Sequence, residues 1–136
     1  MGNTKSLGIA YTDQDIIGSN LIMSGEKLGY TNGSQGAVTQ ATSKATAVTL
    51  NKSAGIITTN AASLGATTTV NFTLNNSYLS ANDTLILTIA SGGTAGAYNA
   101  WVSGMAAGTA TINLRNITAG ALLEAVVINF AIIHCE

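Results

Sequence analysis

Proline does not occur in this 136-residue chain, cysteine occurs once, and charged side chains make up 8% of it. Without proline, no strand edge is blocked by a missing N–H. A single cysteine excludes an internal disulfide framework and a cysteine-built zinc site. Four lysines and one arginine, scattered along the chain, cannot form the basic stripe that neutralises several phosphates, so nucleic acid is excluded as a partner. A net charge of −1 with 46% hydrophobic residues argues against disorder for the bulk of the chain. The longest apolar stretch, residues 125–133, contains Asn129 and falls far short of the ~18 residues of a membrane helix, so no membrane partner is expected. Lys5 is followed by only a few apolar residues, Leu7 to Ala10, before the polar run Tyr11-Thr12-Asp13-Gln14-Asp15. That is too short for a secretory h-region, and a soluble chain is expected.

Two-residue periodicity dominates what is there. Val70, Phe72 and Leu74 alternate with Thr69, Asn71 and Thr73. Leu85, Leu87 and Ile89 share a face, as do Tyr98, Ala100 and Val102, and Ala110, Ile112 and Leu114. Each set reads as a half-buried strand. With 46–51 and the shorter candidates at 37–40 and 55–59, and a long last strand at 124–133, about eight strands are expected, separated by Ser91-Gly92-Gly93, 104–108 and 116–120. The fold class is therefore all-β: an antiparallel β-sandwich, jelly-roll-like, with an extended N-terminal arm. The arm is placed at 1–36, where seven glycines interrupt any sustained alternation, and the body at 37–136. No apolar 3.6-residue stripe supports a helical fold.

The last strand stands apart, because both of its faces are largely apolar: Val126, Ile128, Phe130 and Ile132 on one, Ala125, Val127, Ala131 and Ile133 on the other. A strand with one wet face should alternate, so the second face is covered either by the arm or by a neighbouring subunit. Outward positions elsewhere carry threonine, serine, asparagine and alanine. Such groups are cheaper to desolvate than ions, which suits broad, permanent packing. The arm carries Leu7, Ile9, Tyr11, Ile16, Ile17, Leu21, Ile22, Met23, Leu28 and Tyr30. Burying them gains less than ordering the whole segment costs, so the arm must also pair its backbone, as in strand addition to a sheet edge. A short helix over 13–28 is disfavoured by Gly18 and Gly25.

Candidate chemistry is sparse. Asp13, Asp15 and Asp83 could be imagined around calcium, yet the alternating oxygen ligands of a calcium loop are missing. His134 and Cys135 are neighbours on a strand and point to opposite faces, a poor geometry for a nucleophile and its base. The run Gly92-Gly93-Thr94-Ala95-Gly96 has no following lysine or helix and reads as a hairpin loop, not a phosphate cradle. Six Asn-x-Ser/Thr triplets, at Asn32, Asn51, Asn71, Asn75, Asn82 and Asn116, are expected from composition alone. Trp101 and Tyr98, with Tyr78 in a loop, are the best candidates for a sugar-stacking platform, against the commoner fate of a lone tryptophan in the core. No enzyme, metal or cofactor is expected.

Gly29-Tyr30 through Gly36-Ala37-Val38-Thr39-Gln40, Ser43-Lys44, Val48-Thr49-Leu50-Asn51-Lys52, Gly55-Ile56-Ile57-Thr58, Val70 to Asn76, Ala97-Tyr98, Asn116-Ile117-Thr118 and Glu124-Ala125 to Phe130-Ala131-Ile132-Ile133 resemble a family of small virion proteins of tailed phages and prophages. The resemblance covers roughly residues 29–133. It implies a structural role: a capsid decoration (cement) protein, often a trimer, located on the capsid surface after assembly in the host cytoplasm, with the major capsid protein as partner. A tail-fibre or receptor-binding, glycan-binding module is the alternative. Leu7, Ile9, Tyr11, Ile16 and Ile17 are the expected capsid contacts. Val127, Ala131 and Ile133 are the expected contacts between subunits.

Overall fold

The computed structural model describes residues 29–30 and 32–135, and the expected arm contacts Leu7, Ile9, Tyr11, Ile16 and Ile17 lie outside them. Eight strands follow a short 3-10 turn at Asn32–Ser34: β1 (Gln35–Thr39), β2 (Val48–Thr49), β3 (Ala54–Thr58), β4 (Thr69–Asn75), β5 (Thr84–Ser91), β6 (Tyr98–Ala106), β7 (Thr109–Asn116) and β8 (Val127–Ile133). All eight strands read from the alternation are present. β1 starts at Gln35, two residues before the expected start of the body, and β8 at Val127, three residues after the expected start of the last strand.

The strands form two four-stranded sheets, β1-β3-β8-β5 (sheet A) and β2-β4-β7-β6 (sheet B). Only β6 and β7 are consecutive and adjacent; every other connection crosses from one sheet to the other or reaches a non-neighbour. Within sheet A, β1, β3 and β5 therefore run one way and β8, inserted between β3 and β5, runs against them. β7 does the same between β4 and β6. Three strands of each sheet, β3-β8-β5 and β4-β7-β6, are antiparallel, as expected, while the edge strands β1 and β2 join in parallel, so the sheets are mixed. The stretch 92–96 links β5 in sheet A to β6 in sheet B, so it is an arch across the end of the sandwich and not the hairpin loop expected from its glycines.

The core lies between the sheets. Ile57, Leu85, Ile128, Phe130 and Ile132 from sheet A meet Val48, Phe72, Leu74, Tyr98, Ala110, Ile112 and Leu114 from sheet B, sealed at the ends by Leu64, Leu79, Ala97 and Val126. Period-2 alternation put one face of each strand inside, which is why the sequence pattern carried this part of the fold. Two glycines have specific work. Gly108, at φ +78°, closes the β6–β7 turn in a conformation that a side chain rarely adopts. Gly55 lies under Leu50 and Phe130, where a Cβ would come within 2.8 Å of the Gly36 carbonyl oxygen.

Ile112 is fully buried on the central strand of sheet B, whereas Ile117 is 52% exposed in the following loop. Ile112→Ala is expected to lower the unfolding free energy by about 2–5 kcal/mol, with Ile117→Ala within roughly 0.5 kcal/mol of the parent, both read from urea unfolding.

Candidate functional site

Arg115 is the sole charged residue in the eight strands. The exposed faces of the sandwich are therefore built from hydroxyls, amides and aliphatic side chains. The outer face of sheet A is the more apolar. Ile56, Ile86 and Ile133 stand 42%, 46% and 51% exposed on it, and the pairs Ala54–Ala131, Ile86–Ala131 and Thr84–Ile133 line them up across β3, β8 and β5. Val127, Ala131 and Ile133, expected as subunit contacts, all project from this face, because odd positions of β8 point away from the buried set Ile128, Phe130 and Ile132. Tyr30 reaches over the same face and donates its hydroxyl to the Ile132 carbonyl. Two open grooves flank it, one of about 460 Å³ lined by Gly29, Tyr30, Ile86, Ala131, Ile133 and His134, the other of about 300 Å³ against Ala54, Ile56 and Asn129.

Sheet B presents amides. Trp101, Asn113 and Asn71 lie side by side across β6, β7 and β4, with Asn99 and Arg115 in the next row. Trp101 is 37% exposed, not in the core, whereas Tyr98 is buried on the opposite face of β6. The two aromatics therefore cannot form one platform, since three positions along a strand change the face. Tyr78 is exposed in the turn after β4 and belongs to neither row. The Asn113 Nδ2 is buried without a hydrogen-bond partner.

The ends of the sandwich hold the charged and amide groups that strand periodicity could not reveal. Asp83 is buried and fully engaged: its carboxylate accepts from the Ser80 N–H (2.8 Å) and the Cys135 N–H (3.2 Å), and faces His134 Nδ1 at 3.0 Å. These bonds, led by that from Ser80, hold its pKa at about 2. They leave no carboxylate turned towards a cation, and Asp13 and Asp15 lie outside the described residues. No group of three or more His, Cys, Asp or Glu among the described residues is placed to hold a metal ion. His134 and Cys135 meet at Asp83 through the imidazole of one and the backbone of the other, so the structure uses them to fasten the end of β8.

At the opposite corner Lys44 is buried and its ammonium donates to the carbonyls of Asn60 (2.5 Å) and Glu124 (2.6 Å). Burial pushes its pKa down, opposed by the nearby Glu124 carboxylate. Gln40, also buried, donates to the carbonyls of Lys44 and Thr46 and accepts from the Asn60 N–H. The Glu124 carboxylate accepts from the Thr94 N–H at 2.5 Å, tying down the 92–96 arch, and lies below the usual range for that reason first. Tyr98 carries its hydroxyl into this corner without a hydrogen bond of ordinary geometry, and burial with the adjacent Glu124 raises its pKa to about 12. Asn116, fully buried, donates to the carbonyls of Leu64, Gly65 and Gly120 and accepts from both the N–H and hydroxyl of Thr118. Its Asn-x-Thr triplet is a loop clamp, closed to modification.

No hint in the sequence distinguished Gln40, Lys44 or Asn76 from solvated loop residues; a polar residue shows its burial only once the loops that cover it are placed. In comparisons with protein-family models, with curated proteins and with solved structures, nothing matches this chain.

Two expectations follow from these clamps. The Asp83 pKa is lower folded, about 2, than its ordinary 3.8, so as pH falls the unfolded chain takes up the proton first. The stability it contributes is complete above pH ~4 and lost on the way to pH ~2, and Asp83→Asn flattens that acid limb in melting temperatures measured by circular dichroism. Lys44→Met leaves two partly buried carbonyls without their donor and is expected to cost about 1–3 kcal/mol in urea unfolding at neutral pH.

Proposed function

We propose that the protein is a structural subunit that works by permanent packing against neighbours, specifically a capsid decoration protein that binds and stabilises an assembled phage capsid lattice. One observation carries this reading: the strand surface is uncharged apart from Arg115, and its sheet edges lack the lysines and prolines that usually keep edges apart. β5 and β6, the edge strands on the other side from the short β1 and β2, run eight and nine residues. A monomer that circulates alone normally protects such edges; a subunit embedded among neighbours has no need to. The resemblance of the body to small tailed-phage virion proteins points the same way.

The mechanism is linkage. A subunit that binds the assembled lattice and not its dissociated parts stabilises it by the binding free energy at each site, summed over many sites. Leu7, Ile9, Tyr11, Ile16 and Ile17 are the proposed capsid contacts, delivered by a segment long enough to reach past the body. The major capsid protein is the proposed partner and a trimer the proposed assembly.

Trp101 supports a second reading, a glycan-binding tail module. Its indole is exposed beside Asn71, Asn99 and Asn113, and an aromatic face flanked by amides suits the apolar face and hydroxyls of a pyranose.

Co-sedimentation with empty capsid shells separates the two. For a decoration protein, the full chain pellets with expanded shells, and the combined Ile9→Asp, Ile16→Asp and Ile17→Asp variant loses about tenfold or more in affinity, while Trp101→Ala pellets unchanged. No pelleting, together with a glycan-array signal lost in Trp101→Ala, would reverse the choice.

A further inference from the structure

We infer that the apolar outer face of sheet A is the seat of this chain's own residues 21–28, which strap across β8 and β5 over Ile86, Ala131 and Ile133. The direction of the chain carries the inference. From Gln35, the first residue of the edge strand β1, the backbone turns through Asn32–Ser34 and reaches Tyr30, whose hydroxyl donates to the Ile132 carbonyl on β8, two strands away. The path is pinned twice more, by Gln35 Nε2 donating to the Tyr30 carbonyl at 3.1 Å and by Lys52 Nζ donating to the Gly33 carbonyl at 2.8 Å. Read backwards, the chain thus crosses the outer face from β1 towards β5. Gly29, its next residue, lines the 460 Å³ groove with Ile86, Ile133 and His134.

The residues that come next bring apolar side chains to the groove at both ends of the segment: Leu28 first and then, beyond Lys27, Glu26, Gly25 and Ser24, the run Met23, Ile22 and Leu21. Eight extended residues span at most ~26–29 Å, while three strand spacings cross only ~14 Å, so the segment covers the face with length to spare. A second copy could cover the same isoleucines, but it would compete with a segment already tethered at the groove. A short tether supplies an effective concentration in the ~mM range, far above that of free subunits. β1, β3, β5 and β8 carry no charged residue, so the face favours Leu21, Ile22, Met23 and Leu28 of the segment, while Glu26 and Lys27 turn to solvent. The strap leaves residues 1–20, with all five proposed capsid contacts, free to act elsewhere; it does not depend on what they grip.

The test uses the full chain with Cys135→Ser as background. Ile86→Cys is combined in turn with Leu21→Cys, Ile22→Cys, Met23→Cys and Leu28→Cys, and a control set carries Asn71→Cys, on the outer face of sheet B, in place of Ile86→Cys. Mild oxidation of dilute protein is read by non-reducing electrophoresis and intact mass. The expected result is an intrachain disulfide in at least one Ile86→Cys pair, about tenfold or more above its control. Interchain dimers from these pairs would assign the face to a second copy, and yields equal to the control would leave the segment elsewhere; either overturns the inference. Methyl NOEs in the unmodified protein, from Leu21, Ile22 or Leu28 to Ile86 or Ile133, supply the same decision without substitution, and their absence counts against the strap.

Discussion

The insertion of β8 between β3 and β5 is the constraint on which the rest of the molecule depends. It is the last of the described strands, it pairs with segments at least 36 residues earlier on both sides, and its inner residues Ile128, Phe130 and Ile132 form the floor of the core. Without it, β1 and β3 would be a detached parallel pair and β5 an isolated strand. Because almost every connection changes sheets, few local contacts reward early pairing, and the fold closes only when distant segments meet. The carboxylate of Asp83, just before β5, holds His134 and the backbone of Cys135 just past the end of β8, securing that strand where it would otherwise fray.

The distribution of polarity follows from the same architecture. Two sheets bury one face of every strand, and the loops that cross between them must cover the open ends. Crossing loops expose backbone carbonyls and N–H groups to a dry interior, and buried side chains answer them: Lys44 and Gln40 at one corner, Asn76 beside the turn after β4, Asn116 beneath 64–65 and 118–120. Charge is therefore concentrated where loops close the sandwich, and the sheet faces are left nearly free of it. An uncharged face is cheap to desolvate, which connects the way the chain folds with the packing role proposed for it.

The sandwich presents its two outer faces differently. Sheet A offers aliphatic side chains and receives the chain as it enters the body; sheet B offers amides around a single indole. A molecule built this way separates the surface where its own leading segment approaches from the surface it shows to something else.

Alternation along the chain was enough to determine the number of strands, their approximate limits and which residues of each face inward, because the side-chain period of a strand is two and burial of one face imposes it on the sequence. The double apolar character of 124–133 also marked β8 as a strand whose second face needs a cover. Pairing was beyond the sequence: nothing in β1 or β2 says that they join their sheets in parallel, and the glycines of 92–96 serve a hairpin or an arch equally well. The separation of Trp101 from Tyr98, the burial of Lys44 and the reach of Tyr30 to Ile132 were decided by the tertiary structure alone. Each depends on which distant segment lies opposite, and a local pattern of hydrophobicity carries no information about that.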